Sequence, residues 1–245
     1  FMIKNLRFFL LLCLTSLVYH DVHGQDTYAD LWTTQQLHMP ISSSLRLSNE
    51  FHWRMTEFAG APLQLLIRPK VEWKAKENFT FTGGYTHIRN WPYREGQADI
   101  VSTEHNLWED FAFHHPLFKG NLTHALRLEH RFISNIVTNS LGESSRDGYD
   151  FRNRIRHRIT YVEHLSDEVY LRCFNEVFVQ MPTGENNPVA QFQQNWLYAG
   201  LGWKAIDNFV FEAGFHHQYI VRSLEAERHF GLWMAINYSL PTQKK

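Results

Sequence analysis

The stretch FRNRIRHRIT, residues 151–160, decides the fold because it carries an arginine at every second position. The row consists of Arg152, Arg154, Arg156 and Arg158. On a β-strand, successive side chains point to opposite faces, so the whole row would share one face with its Cα atoms roughly 6.5 Å apart. On a helix the same arginines would be divided between two opposite sides. Apolar residues of this segment also fall at helical spacing, at Phe151, Ile155, Ile159 and Val162. The rest of the chain must therefore decide between a strand and a helix.

Other segments repeat the two-residue period and favour strands. In SLRLSNEFHWR, residues 44–54, one face carries Leu45, Leu47, Phe51 and Trp53, and the other carries Arg46, Ser48, Glu50, His52 and Arg54. In LQLLIRPKVEW, residues 63–73, Leu63 shares the apolar face with Ile67 and Trp73, and Pro69 indicates a bulge or a weakly paired position. Further candidates are LWTTQQLHM, FTFTGGYTH, EHNLWEDFAF, LTHALRLEHRF, VYLRCFNEVFVQ, NWLYAGLGWKA, NFVFEAGFHHQYIV and FGLWMAINYSL.

Strand length and loop length indicate a membrane barrel. Most candidate strands have about ten residues, which is what a tilted strand needs to cross a bilayer. Short turns (PISS, KAKEN, LSDE, AIDN) alternate with long polar loops at residues 90–102, 134–150 and 181–193. Short periplasmic turns and long outer loops are typical of outer-membrane barrels. The alternative is a soluble, secreted barrel with its aromatic face inward, and strand length and loop asymmetry argue against it. We therefore predict an all-β, transmembrane, antiparallel up-and-down β-barrel.

The number of strands is left open between ten and twelve. Eleven candidates can be counted, but single-chain bacterial barrels close with an even number. Either one strand is missed, which would make twelve, or LWTTQQLHM lies outside a ten-stranded wall.

The first 24 residues have the features of a secretory signal peptide. Lys4 and Arg7 precede an apolar run from Phe8 to Val18, and cleavage is expected before Gln25. The mature barrel would span residues 25–245, which is 245 − 24 = 221 residues. Cys173 would be its one cysteine, which excludes an intrachain disulfide. The formal net charge of −1 gives no indication of nucleic-acid binding. The expected location is the cell outer membrane, of the Gram-negative type.

Several motifs resemble a known family. The expected signal peptide is followed by LRLEHRF, FRNRIRHRITY, FNEVFVQ and NWLYAGLGWKAIDNFVFEAGF. Together they resemble the bacterial outer-membrane barrels of domain-of-unknown-function family 2490 (DUF2490). The resemblance covers nearly the whole mature chain and implies a barrel and a location, but no activity. The chain departs from barrels that finish on an aromatic residue, because PTQKK follows Leu240.

The arginine row predicts a charged lumen. If Phe151, Ile155 and Ile159 face lipid, the arginines must face inward, because an arginine facing the bilayer midplane costs a few kcal/mol. We expect a lumen ion network or anion-binding site formed by Arg127, Glu129, Arg131, Arg152, Arg154, Arg156, Arg158, Arg172 and Glu176. Two alternatives remain open. The charges cross-brace and fill the interior, or an excess of arginine over one or two carboxylates binds or passes an anion.

The sequence indicates no cofactor and no metal site, although it contains 15 histidines. The doublets His114/His115 and His216/His217 would send their rings to opposite faces of a strand. The predicted partners are outer-membrane lipids and, for the second alternative, a small anionic solute. The predicted role is non-enzymatic: a small pore, an anionic-ligand binding shell or a structural component.

An outer-membrane lipid hydrolase, of the phospholipase or lipid A deacylase type, is the alternative function. Its candidate residues are His164 and Ser166 in HLSDE, with Asp167 or Glu168 to orient the imidazole. These residues fall in a short turn, where serine and aspartate are ordinary turn residues. The loop asymmetry places that turn on the periplasmic side, away from the outer leaflet.

Overall fold

The computed structural model describes residues 25–183, 189–222 and 226–241. The predicted signal peptide, residues 1–24, lies outside them. Every segment with a two-residue period is a strand. The described residues form β1 (Gln25–Pro40), β2 (Leu45–Thr56), β3 (Ala61–Lys76), β4 (Phe79–Asn90), β5 (Ser102–Leu117), β6 (Gly120–Thr138), β7 (Ser144–His164), β8 (Val169–Gln180), β9 (Gln191–Ile206), β10 (Phe209–Val221) and β11 (Ala226–Ser239). A short 3-10 segment, Glu57–Ala59, joins β2 to β3.

The eleven strands of the described chain close into one barrel in sequence order. Each strand is antiparallel to the next, and β1 closes the barrel by pairing in parallel with β11, with Trp32 opposite Trp233. This seam follows from the odd number, because the first and last strands of an eleven-stranded meander run in the same direction. The predicted range of ten to twelve strands is correct. The expectation of an even number is wrong, and LWTTQQLHM lies inside the wall, in β1.

The two ends of the barrel differ. Connections of two to four residues join β1 to β2, β3 to β4, β5 to β6, β7 to β8 and β9 to β10, and we call this the turn end. The longest connections, residues 91–101 and 181–190, lie at the opposite, loop end. The loop predicted over residues 134–150 is mostly strand, because β6 and β7 pair as far as Thr138 and Ser144. Pairing continues past a register shift between Ser134 and Ile136.

The outer wall is apolar over most of its circumference. Large side chains exposed on it include Leu47, Phe51, Ile67, Val71, Trp73, Leu107, Phe111, Leu126, Phe151, Leu201, Trp203, Phe215, Phe230 and Ile236. Apolar patches this extensive mark protein or membrane contact surfaces. Together with strands of 12 to 21 residues, this is the design of a transmembrane barrel. Among the described residues, no helix is long and apolar enough to span a membrane, a finding that does not bear on strands.

The inner face alternates with the outer one, as the two-residue period predicts. Ser48, Glu50, His52 and Arg54 of β2 are buried, whereas Leu47 and Phe51 are exposed. Bulges interrupt the pattern, as at Leu63. The register shifts between Arg54 and Met55, opposite Gln64 and Pro62, so Leu63 is an extra residue that turns inward and becomes buried. Pro69 makes no bulge but is a weakly paired position, because it lies opposite Asn49 in the β2–β3 ladder and has no partner in the β3–β4 ladder between Ile67↔His87 and Lys70↔Gly84.

Candidate functional site: the lumen

A continuous ladder of charges runs along the lumen face of the adjacent strands β6, β7 and β8. Arg156 donates to Glu129 Oε1 (2.8 Å) and to Glu176 Oε1 (2.9 Å). Arg154 Nε donates to Glu129 Oε2 at 2.6 Å, and Arg158 Nη2 donates to Glu176 Oε2 at 2.7 Å. Glu129 is 2% exposed, so these charges have left water and depend on one another. The registers Glu129↔Arg154 and Arg158↔Glu176 place each carboxylate directly opposite an arginine.

Three other arginines of the predicted network form ion pairs with carboxylates that the prediction did not include. Arg127 pairs with Asp110 (3.0 Å), Arg131 with Glu104 (2.7 Å) and Arg172 with Glu212 (2.9 Å). The expected excess of arginine over one or two carboxylates is therefore wrong, because the strands β5 and β10 contribute acids as well.

Arg152 is separated from the ladder. Its side chain is about half exposed near the loop end of β7, and its Nη2 lies 3.2 Å from Asp150 Oδ2. The row of four arginines is thus graded from a solvated end at Arg152 to a buried middle at Arg156.

Aromatic side chains fill the lumen beside the ladder. The buried cluster comprises Trp32, Phe174, Phe178, Trp196 and Tyr198, with Trp233 packed against it. The guanidinium group of Arg156 lies 4.4 Å from the ring centroid of Phe178. Arginine stacks favourably on aromatic faces, so the two kinds of residue form one packed layer inside the barrel.

Arg54 of β2 is an inward-facing arginine that the predicted network did not include, as are Arg68 and Arg222. It is 6% exposed, and its guanidinium carbon lies 4.1 Å from the ring centroid of Trp32 and 5.0 Å from that of Trp196. Its Nη1 donates to Gln64 Oε1 at 2.7 Å, and its Nε has no hydrogen-bond partner. Within the described part of the chain no carboxylate lies within ion-pair distance of it. The alternating pattern placed Arg54 on the polar face, but nothing in the pattern distinguishes a paired arginine from an unpaired one.

A cavity of about 570 Å³ opens above this layer, bounded by loop-end residues such as Trp91 and Tyr93. Seven arginines line it: Arg54, Arg68, Arg131, Arg152, Arg154, Arg156 and Arg222. Two carboxylates, Glu104 and Glu129, line it with them. Amide side chains such as Asn90, Gln193 and Gln218 complete a polar, positively biased vestibule. The acids that balance Arg68 and Arg222, namely Glu50 and Glu227, do not form part of its surface.

The loop between β4 and β5 folds over the mouth of the vestibule. Tyr93 donates its hydroxyl to Glu227 Oε2 at 2.7 Å, and Arg94 and Arg222 pair with the same carboxylate. The ring of Tyr93 packs edge-on against Tyr28 at 5.2 Å. Burial raises the pKa of Tyr93, Arg222 opposes this, and the hydrogen bond with Glu227 raises the pKa further. The neutral side chain of Tyr93 therefore links the loop to the paired strands β1 and β11, through its contacts with Tyr28 and Glu227.

Comparison with known proteins gives the same family as the motifs in the sequence. The family described as "Protein of unknown function (DUF2490)" matches residues 29–227, most of the chain. The chain belongs to DUF2490. No curated protein matches it. A solved structure described as the NanC porin in a rhombohedral crystal form is 11% identical, covering 84% of this chain and 91% of its own, with a TM-score of 0.47.

The candidate hydrolase residues of this DUF2490 barrel lie in and beside the β7–β8 turn. Ser166 Oγ accepts hydrogen bonds from the backbone N–H groups of Glu168 and Val169, and the ring of His164 lies 5.9 Å from that of Tyr170. Ser166 thus stabilises the β7–β8 turn. In the described residues, no group of three or more His, Cys, Asp or Glu side chains has the geometry to hold a metal ion.

Proposed function

We propose that this protein is an outer-membrane barrel that binds an anionic solute in its vestibule, as a binding shell whose floor is closed to free diffusion. It is proposed to act without catalysis. The apolar outer wall supports a location in a membrane, because it needs a hydrocarbon environment. The loop end, where the vestibule opens, faces outward in barrels of this kind.

Arg54 is the observation that carries the proposal. A buried cation without a carboxylate is costly unless something compensates it. Arg54 is held between Trp32 and Gln64 at the edge of the cavity, with its Nε unpartnered. A carboxylate, sulfate or phosphate oxygen in the cavity would supply the missing acceptor, because charge-assisted hydrogen bonds to guanidinium are among the strongest in proteins.

The floor distinguishes a binding shell from an open pore. Arg154, Arg156 and Phe178 line the vestibule and Arg156 is fixed by two carboxylates, so we propose that they form a closed floor. An ion crossing the barrel would have to separate this buried network, and breaking such a pair by losing one partner costs about 3–5 kcal/mol. We therefore expect little steady conductance.

Titration calorimetry of the folded barrel in zwitterionic detergent tests the proposal, with citrate and inorganic sulfate as probes and glucose as the neutral comparison. We expect citrate or sulfate to bind, glucose not to bind, and Arg54→Gln to weaken anion binding about tenfold, which is about 1.4 kcal/mol. Arg89→Gln removes the same charge from the outer wall and serves as the matched control. Equal binding by wild type and Arg54→Gln contradicts the proposal, as does a large anion current in planar bilayers.

A further inference from the structure

The outer wall of β4 to β7 differs from the rest of the barrel surface. Its outward-facing positions include His87, His105, Glu109, His115, His124, His130, Asn153 and His157, which we call the polar outer face. They alternate with inward residues such as Trp108, Glu129 and Arg154, which are buried. On β9, which β8 separates from this face, the outward positions include Leu197, Ala199, Leu201 and Trp203.

An ionisable cluster lies in the middle of this face. His130 Nε2 lies 3.3 Å from Glu109 Oε1, and His130 Nδ1 lies 2.8 Å from Asn153 Oδ1. Glu109 is flanked along β5 by Leu107 and Phe111, which are exposed in the apolar wall. The side chain of Glu109 is 31% exposed and that of His130 is 42% exposed, so the cluster is on the surface.

Lipid chains cannot hydrogen-bond with these groups. Ionisable residues at membrane depth are costly in contact with lipid and normally face protein or a water-filled cavity. Glu109 and His130 face neither within the described barrel. A second protein surface is therefore needed to cover them.

Gly83 gives independent support for close contact with the surface of another protein molecule. It lies opposite Glu109 on β4, and a Cβ added to it would meet no atom within 4 Å. Internal packing therefore does not require a glycine here, and its absent side chain leaves a recess beside Glu109. Small residues allow close approach between membrane-embedded surfaces.

We propose that the polar outer face is the interface with a second copy of this chain, related by a two-fold axis along the membrane normal. Both copies insert in the same direction, so each residue meets partner residues at a similar depth. The cluster offers a carboxylate, an imidazole and an amide on three adjacent strands, which makes it complementary to itself. Glu109 of one copy then accepts from His130 of the other. This inference depends on membrane insertion but not on anion binding.

The test begins with the mass of the purified, heat-modifiable barrel in mild detergent, measured by light scattering. We expect a dimer for wild type and a monomer for Gly83→Leu and for Glu109→Leu. Ala199→Leu adds similar bulk to the outward face of β9, outside the polar outer face, and should remain dimeric. A monomeric wild type, a larger ring, or a dimer unaffected by Gly83→Leu would overturn the proposal.

Cross-linking in liposomes separates failure to dimerise from failure to insert. In a Cys173→Ser background, Leu107→Cys beside the cluster should form a disulfide-linked dimer, whereas Leu201→Cys should not. Leu107 and Leu201 are similarly exposed, at 54% and 52%, so both thiols are equally accessible. Insertion is judged by heat-modifiability. If the inserted protein gives equal yields of disulfide-linked dimer at both positions, lipid or another occupant covers this face and the proposal is wrong.

Discussion

Arg156 donates hydrogen bonds to two carboxylates at once, and Glu129 is the one that it shares with Arg154. This arrangement joins the inner faces of the adjacent strands β6, β7 and β8 at a level where the side chains are nearly inaccessible to water. The charges that appeared in the sequence as an arginine row are, in the folded barrel, alternating cations and anions.

The shared carboxylate makes the Arg154→Gln/Arg156→Gln double variant a sensitive test of the ladder. Glutamine keeps hydrogen-bonding capacity but removes the charge, leaving Glu129 and Glu176 poorly compensated. We expect a destabilisation of about 3–5 kcal/mol, seen as a lower heat-modification temperature in gel-shift assays.

Arg152→Gln is the matched control, because Arg152 is partly solvated and should contribute little. Equal stability of the double variant and this control would show that the ladder does not brace the barrel.

Membrane fractionation tests the location. Because the apolar side chains cover the outer wall, the mature protein should sediment with outer membranes and fold in detergent to a heat-modifiable form. Recovery of folded protein without detergent would contradict a transmembrane barrel.

Tyr93→Phe tests the loop over the vestibule. The variant loses the hydroxyl that donates to Glu227, so we expect faster trypsin cleavage after Arg94. Tyr149→Phe, a change in an exposed tyrosine of β7, should leave the cleavage rate unchanged. Unaltered cleavage in Tyr93→Phe would show that the hydrogen bond does not hold the loop.

The same contact predicts a pH dependence. The pKa of Tyr93 is raised in the folded state, so its stabilising contribution is fully present below the ordinary tyrosine pKa of about 10 and is lost as the pH rises through the raised value. Proteolytic protection at Arg94 should therefore persist at pH 10. Absorbance at 295 nm, compared between wild type and Tyr93→Phe, reports the ionisation directly.

Ser166→Ala tests the alternative function. Ser166 accepts two backbone hydrogen bonds in the β7–β8 turn, so its loss should loosen the turn slightly. We expect no phospholipase or esterase activity in either wild type or variant. Activity in wild type that disappears in Ser166→Ala would establish the hydrolase instead.

The sequence by itself determined which residues of a regular strand share a face, because alternation along a strand is a local property of the backbone. Arg154 and Ile155 had to lie on opposite faces whatever their neighbours were. Strand length and the alternation of short and long connections likewise predicted a membrane barrel without knowledge of any contact.

Only the tertiary structure decided which charges meet. The pairing of Arg131 with Glu104, or of Arg172 with Glu212, depends on the register and closure of strands that lie far apart along the chain. The parallel β1–β11 seam, the inward turn of Leu63 and the unpaired state of Arg54 arise in the same way. A two-residue period specifies a face, but the neighbours on that face are set by how the sheet closes.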